Sequence, residues 1–96
     1  MKPSVLLSNH RDAIRALVTE HGLLNPRVFG SVSRKEDTEA SDLDILVDPQ
    51  PHTSLLDIAK LQLRLERQLG IHVDVLTPKA LPLSFRDQVI KNALPI

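Results

Sequence analysis

Residues Gly30 to Asp48 read GSVSRKEDTEASDLDILVD, and the second half of that stretch decides the fold. From Ser41 the residues alternate, with Leu43, Ile45 and Val47 pointing one way and Asp42, Asp44, Leu46 and Asp48 the other. This is the two-residue period of a β-strand. Asp42 and Asp44 therefore share a face. Like charges placed side by side on a strand repel each other unless something positive lies between them. A strand with this pair either faces water or holds a cation.

Upstream, Arg27-Val28-Phe29 is short and β-prone, and it runs into Gly30, where the chain can turn sharply. Before it, Ser8 is placed to cap a first helix in which Ala13, Ile14, Leu17 and Val18 share a face and which Gly22 stops. Downstream, Pro49 and Pro51 end the acidic strand, and Ser54 with Asp57 makes a capping box that opens the longest helix. Its apolar set, Leu55, Leu56, Ile58, Ala59, Leu61, Leu63, Leu65 and Leu69, is wide enough to cover a sheet, and Gly70 is its C-cap. Ile71 to Leu76 alternates again, with His72, Asp74 and Leu76 on one face. Ser84 and Asp87 predict a second capping box, for a last helix that buries Phe85, Val89, Ala93 and Leu94. The predicted order is helix, strand, Gly-Ser loop, strand, helix, strand, helix.

Composition narrows the function. The 96 residues suit a single domain, residues 1–96, with no internal repeat. Lysine and arginine total 12, as do aspartate and glutamate, so no overall basic field draws in nucleic acid, and direct nucleic-acid binding is not expected. Cysteine is absent, which excludes disulfides and thiolate chemistry and fits a reducing compartment. The N-terminal apolar run is too short for a signal peptide, and no later run approaches membrane-spanning length, so a cytoplasmic protein without membrane association is expected. With no tryptophan or tyrosine and two phenylalanines, the core must be aliphatic.

If the strand of Asp74 lies near that of Asp42 and Asp44, three carboxylates converge within a few ångströms, since neighbouring strands run about 4.8 Å apart. Such a group suits one or two divalent ions together with phosphate oxygens and water. Gly30-Ser31 supplies a candidate phosphate holder, because glycine permits close backbone approach, and a short helix starting near Ser31 would aim free N–H groups at an anion. The combination is that of a metal-nucleotide site. His72 shares the face of Asp74 and reads as an exposed or hydrogen-bonded histidine. Lys60, Arg64 and Arg67 form a helical stripe that reads as a solvated face.

Gly30-Ser31, then Ser41-Asp42-Leu43-Asp44, then Asp74 in a later apolar strand resembles the nucleotidyltransferase superfamily that includes DNA polymerase beta, and its smallest branch, the minimal nucleotidyltransferases, in particular. The resemblance implies an α+β nucleotidyltransferase fold, a small mixed β-sheet packed against helices. It implies that Asp42, Asp44 and Asp74 bind Mg2+ or Mn2+ and are catalytic, with Asp74 helping to deprotonate the incoming hydroxyl. It also implies that Gly30 and Ser31 hold the β- and γ-phosphates of ATP. Arg34 matches the motif arginine, as a nucleotide ligand or as a structural ion pair. Ser33 stands where the family has alanine, and Lys35 stands where it has a second glycine. Chains of this branch are similar to the antitoxins of two-gene modules whose partner is a HEPN-family ribonuclease toxin. The implied reaction is transfer of AMP from ATP to a tyrosine of that toxin. The alternative is a binding module that neutralises its partner by contact alone.

Overall fold

The alternating run after Ser41 is a strand, and the rest of the molecule is arranged around it. The computed structural model describes residues 1–96 and consists of α1 (Pro3–Asn9), α2 (Arg11–Glu20), β1 (Leu24–Phe29), β2 (Leu43–Asp48), α3 (Leu55–Leu69), β3 (Val73–Leu76), a 3₁₀ turn at Pro78–Ala80, α4 (Arg86–Asn92) and β4 (Leu94–Pro95). The sheet order is β3-β2-β1-β4. β2 pairs with β1 antiparallel and with β3 parallel, while β1 pairs with β4 antiparallel. A parallel pair needs a crossover connection, and α3 provides it. The α+β class with a small mixed sheet is as expected.

Leu43, Ile45 and Val47 of β2 and Val73 and Val75 of β3 are buried in one core with Ile14, Leu17 and Val18 of α2 and Leu61, Leu65 and Leu69 of α3. Burial of each such side chain is worth roughly 1.5–3 kcal/mol, so this face anchors the domain. α3 is also tied to β3 through polar atoms. Glu66 accepts a hydrogen bond from the Val73 N–H at 3.2 Å, and Gln62 accepts one from the Val75 N–H at 3.2 Å. The opposite face of the sheet is covered only in part. Leu46 is fully buried on the face where the 3₁₀ turn packs against β2, while the aspartates further along that face stay half-buried or exposed.

The helices depart from expectation in three places. Ser8 is not a cap: it lies inside α1, which Pro3 opens, and the break falls at His10, whose ring Nδ1 is 3.0 Å from the Leu6 carbonyl oxygen. The apolar run Val5-Leu6-Leu7 buries two leucines and so carries a helix of its own. On α3 the capping box and the left-handed Gly70 cap both form, yet Leu55, Leu56 and Leu63 are exposed. The helix meets the core along one stripe, and these three, with the exposed Ala59, lie outside it. The box predicted at Ser84 and Asp87 does not form, because α4 begins after Phe85 with no side-chain cap. Arg86 instead donates to the carbonyl oxygens of Leu81 and Lys79, which fixes the helix start there. Phe85 and Leu94 remain exposed rather than buried. No helix is long and apolar enough to cross a membrane.

Candidate active site

The register of β2 and β3 sets Asp44 directly beside Asp74, one step after the Leu43–Val73 pair. Because the pair is in register, both carboxylates emerge on the same face. Asp42 joins them from the residue pair before β2, and donor atoms of Asp42, His72 and Asp74 lie within 4.8 Å of one another. The three acids of the sequence therefore converge. Burial is the main reason that the pKa of Asp44 is pushed up to about 6; the charge of Asp74, a hydrogen bond shared with it and the charge of Asp42 add to the rise, and Arg34 opposes it. Dehydration alone would lower the pKa of His72, but the charge and hydrogen bond of Asp74, with Asp42 and Glu66 behind them, hold it above the usual histidine value.

Gly30 closes the site from the side of β1. Its φ of +72° favours glycine, and a Cβ there would overlap the Asp44 carboxylate. The short helix expected from Ser31 is absent. The chain from Gly30 to Lys35 is a series of turns, held by bonds from Arg34 N–H to the Gly30 carbonyl and from Lys35 N–H to the Val32 carbonyl. Left-handed residues at both ends of the segment, Gly30 and Lys35 (φ +58°), leave too few residues between them for a helix. Ser33, in the alanine position of the motif, donates its hydroxyl to the Gly30 carbonyl at 2.8 Å and so braces the turn.

A cleft of about 440 Å³ opens beside this turn, lined by Phe29, Gly30, Ser33, Arg34, Gln88, Val89 and Asn92. Ser31 is half-buried next to it but is not among the lining residues. Arg34 lines the cleft and also pairs with Glu36 at 3.1 Å, so the ion pair is formed by a side chain that borders the cleft. Gln88 and Asn92 were not anticipated. They sit four residues apart on α4 and so share a face, and a polar i, i+4 pair in a helix assumed to be buried was the available signal. The oxygen-rich donor set suits a hard divalent cation; the grouped donor atoms of Asp42, His72 and Asp74, with Asp44 beside Asp74, are those that could hold one.

Residues 8–96 match the nucleotidyltransferase domain family. The chain belongs to the nucleotidyltransferase family. Among relatives of this nucleotidyltransferase, one from Methanocaldococcus jannaschii named "Putative protein adenylyltransferase MJ0435" is 38% identical over 80 residues, covering 83% of this chain and 86% of that one. Protein adenylyltransferase MntA of Thermococcus cleftensis is 34% identical over 89 residues, covering 93% and 87%. A solved structure described as a "putative minimal nucleotidyltransferase" superposes with a TM-score of 0.86 at 42% identity, covering 97% of this chain and 95% of that one. The expected resemblance to the minimal branch thus stands. Two more distant chains share the fold. One comes from a toxin–antitoxin structure with AMP-PNP, at 22% identity and a TM-score of 0.74, covering 88% of this chain and 69% of that one. The other comes from a MntA–HepT toxin–antitoxin structure, at 19% and 0.68, covering 92% and 69%.

Proposed function

We propose that this nucleotidyltransferase moves AMP from ATP onto a tyrosine hydroxyl of a HEPN-family ribonuclease toxin and so acts as its antitoxin in the cytoplasm. The observation that carries the reading is the convergence of Asp42, Asp44 and Asp74 beside the Gly30 turn and its cleft. The names of the two relatives support a protein as the acceptor, and the toxin–antitoxin structures that share the fold support a toxin as that protein. In this reading the acceptor oxygen attacks the α-phosphorus of ATP, the bond from that phosphorus to the bridging oxygen breaks, and pyrophosphate leaves. Asp74 accepts the hydroxyl proton. Gly30 and Ser31 bring backbone and hydroxyl donors to the β- and γ-phosphates, and Arg34 contributes charge from the cleft wall. Mg2+ or Mn2+ held by Asp42, Asp44 and Asp74 supplies charge neutralisation of the phosphates.

The test is incubation of the protein with the HEPN-type protein encoded beside its gene, where one is found, together with ATP and Mg2+, followed by intact mass measurement of that protein. A gain of one AMP is expected with the wild type, and none with EDTA or with the Asp42→Asn/Asp44→Asn double variant. Toxin silenced without any gain in mass would replace transfer with neutralisation by contact.

A further inference from the structure

Asp74 does not stand alone on its strand. Its Oδ1 lies 3.1 Å from Nε2 of His72, and the other ring nitrogen, Nδ1, lies 2.8 Å from Oε2 of Glu66. That same Glu66 oxygen accepts the Val73 N–H, and the backbone carbonyl of Glu66 accepts the Gly70 N–H at 2.8 Å. Glu66 is therefore fixed at both its backbone and its carboxylate, in the last turn of a fifteen-residue helix. A line of contacts runs from that rigid turn through an imidazole to a carboxylate of the active site.

Asp74 needs such support. Its side chain is 43% exposed, and an exposed carboxylate is free to change rotamer. A carboxylate that must meet a metal ion and an incoming hydroxyl gains from being held in one orientation beforehand. The groups behind metal-binding carboxylates are characteristically hydrogen-bonded, and their loss costs about 10–100-fold in affinity or activity.

We propose that Glu66 and His72 are positioning residues for nucleotidyl transfer, forming a strut from α3 that sets the carboxylate of Asp74. His72 acts through Asp74 rather than as an independent ligand, because its Nε2 is engaged by that carboxylate. The inference rests on the reading of Asp74 as part of the metal site.

The experiment measures Mn2+ affinity by calorimetry, together with kcat and KM for ATP, in Asp74→Asn, His72→Ala, Glu66→Ala, Glu66→Gln and the His72→Ala/Asp74→Asn double variant. His72→Ala removes a half-exposed side chain and leaves the core intact. His72→Ala and Glu66→Ala are expected to weaken Mn2+ binding and lower kcat by about 10–100-fold with little change in KM. Glu66→Gln should retain near-wild-type behaviour, since its amide oxygen can accept the same two hydrogen bonds. Adding His72→Ala to Asp74→Asn should cost nothing further. Wild-type Mn2+ affinity in His72→Ala, or an additive loss in the double variant, overturns the strut while leaving the metal site standing. Wild-type affinity in Asp74→Asn overturns both.

Discussion

Gly30 and Lys35 bracket the same turn in the same left-handed conformation, and they should respond to substitution in opposite directions. Gly30→Ala meets both an unfavourable φ and the Asp44 carboxylate, so it should destabilise the fold by about 2–4 kcal/mol in chemical denaturation and impair metal binding. Lys35 is exposed and carries a φ of +58° with a side chain that disfavours it. Lys35→Gly should therefore stabilise by about 0.5–1 kcal/mol, the strain relieved exceeding the extra freedom gained by the unfolded chain. Asp44 gives a pH signature. Its pKa is raised in the folded state to about 6, so its neutral form favours folding below pH about 4, and that contribution is lost as pH rises through about 6. His72, also raised, loses its contribution at still higher pH, in the same direction. The metal-free protein should melt at higher temperature at pH 5 than at pH 7.5, and Asp44→Asn should flatten much of that slope. The carboxylates of Asp37 and Asp57 are shifted the other way and act only below the usual carboxylate range.

Two helices show which local signals survive in the folded chain. Both carry a serine with an aspartate three residues later, but only Ser54 caps: it accepts the Asp57 N–H, and Asp57 in turn accepts the Ser54 N–H. Ser54→Ala should cost about 1 kcal/mol, whereas Ser84→Ala should stay within about 0.5 kcal/mol, as thermal melts of the two variants would show. The Ser54 box was legible because it follows a proline break and opens fifteen residues of consistent periodicity. The Ser84 box was not, because a guanidinium two residues on is claimed by carbonyls of the preceding turn, a contact without local periodicity. The same limit hid α1, which opens on Pro3 with no side-chain cap, and it left the i, i+4 spacing of Gln88 and Asn92 as the one local sign of the cleft.

For the whole molecule, the phase of Asp42, Asp44 and Asp74 could be read from alternation alone, and it determines the face on which they emerge. That β3 lies against β2 in parallel, in the register that pairs Asp44 with Asp74, is a long-range property that no local pattern encodes; the resemblance to the family pointed only to Asp74 joining the other two acids. The convergence makes the metal-free protein carry mutual repulsion that a divalent ion would remove. Mn2+ at about 100 times its dissociation constant should add about 2.7 kcal/mol of stability, seen as a higher melting temperature that EDTA reverses and that Asp42→Asn/Asp44→Asn does not show.

The hydrogen bonds from Val73 and Val75 to Glu66 and Gln62 have a consequence for assembly. β3 is an outer strand of the sheet, and its outward amides are already taken by the helix that delivers it. On the far side β4 is two residues long, and one of them is a proline with no amide to offer. Neither edge thus offers a row of free amides to an added strand. Edge-to-edge pairing between copies of the chain is thereby disfavoured, and a protein that engages this one would rely on side chains and shape more than on extending its sheet.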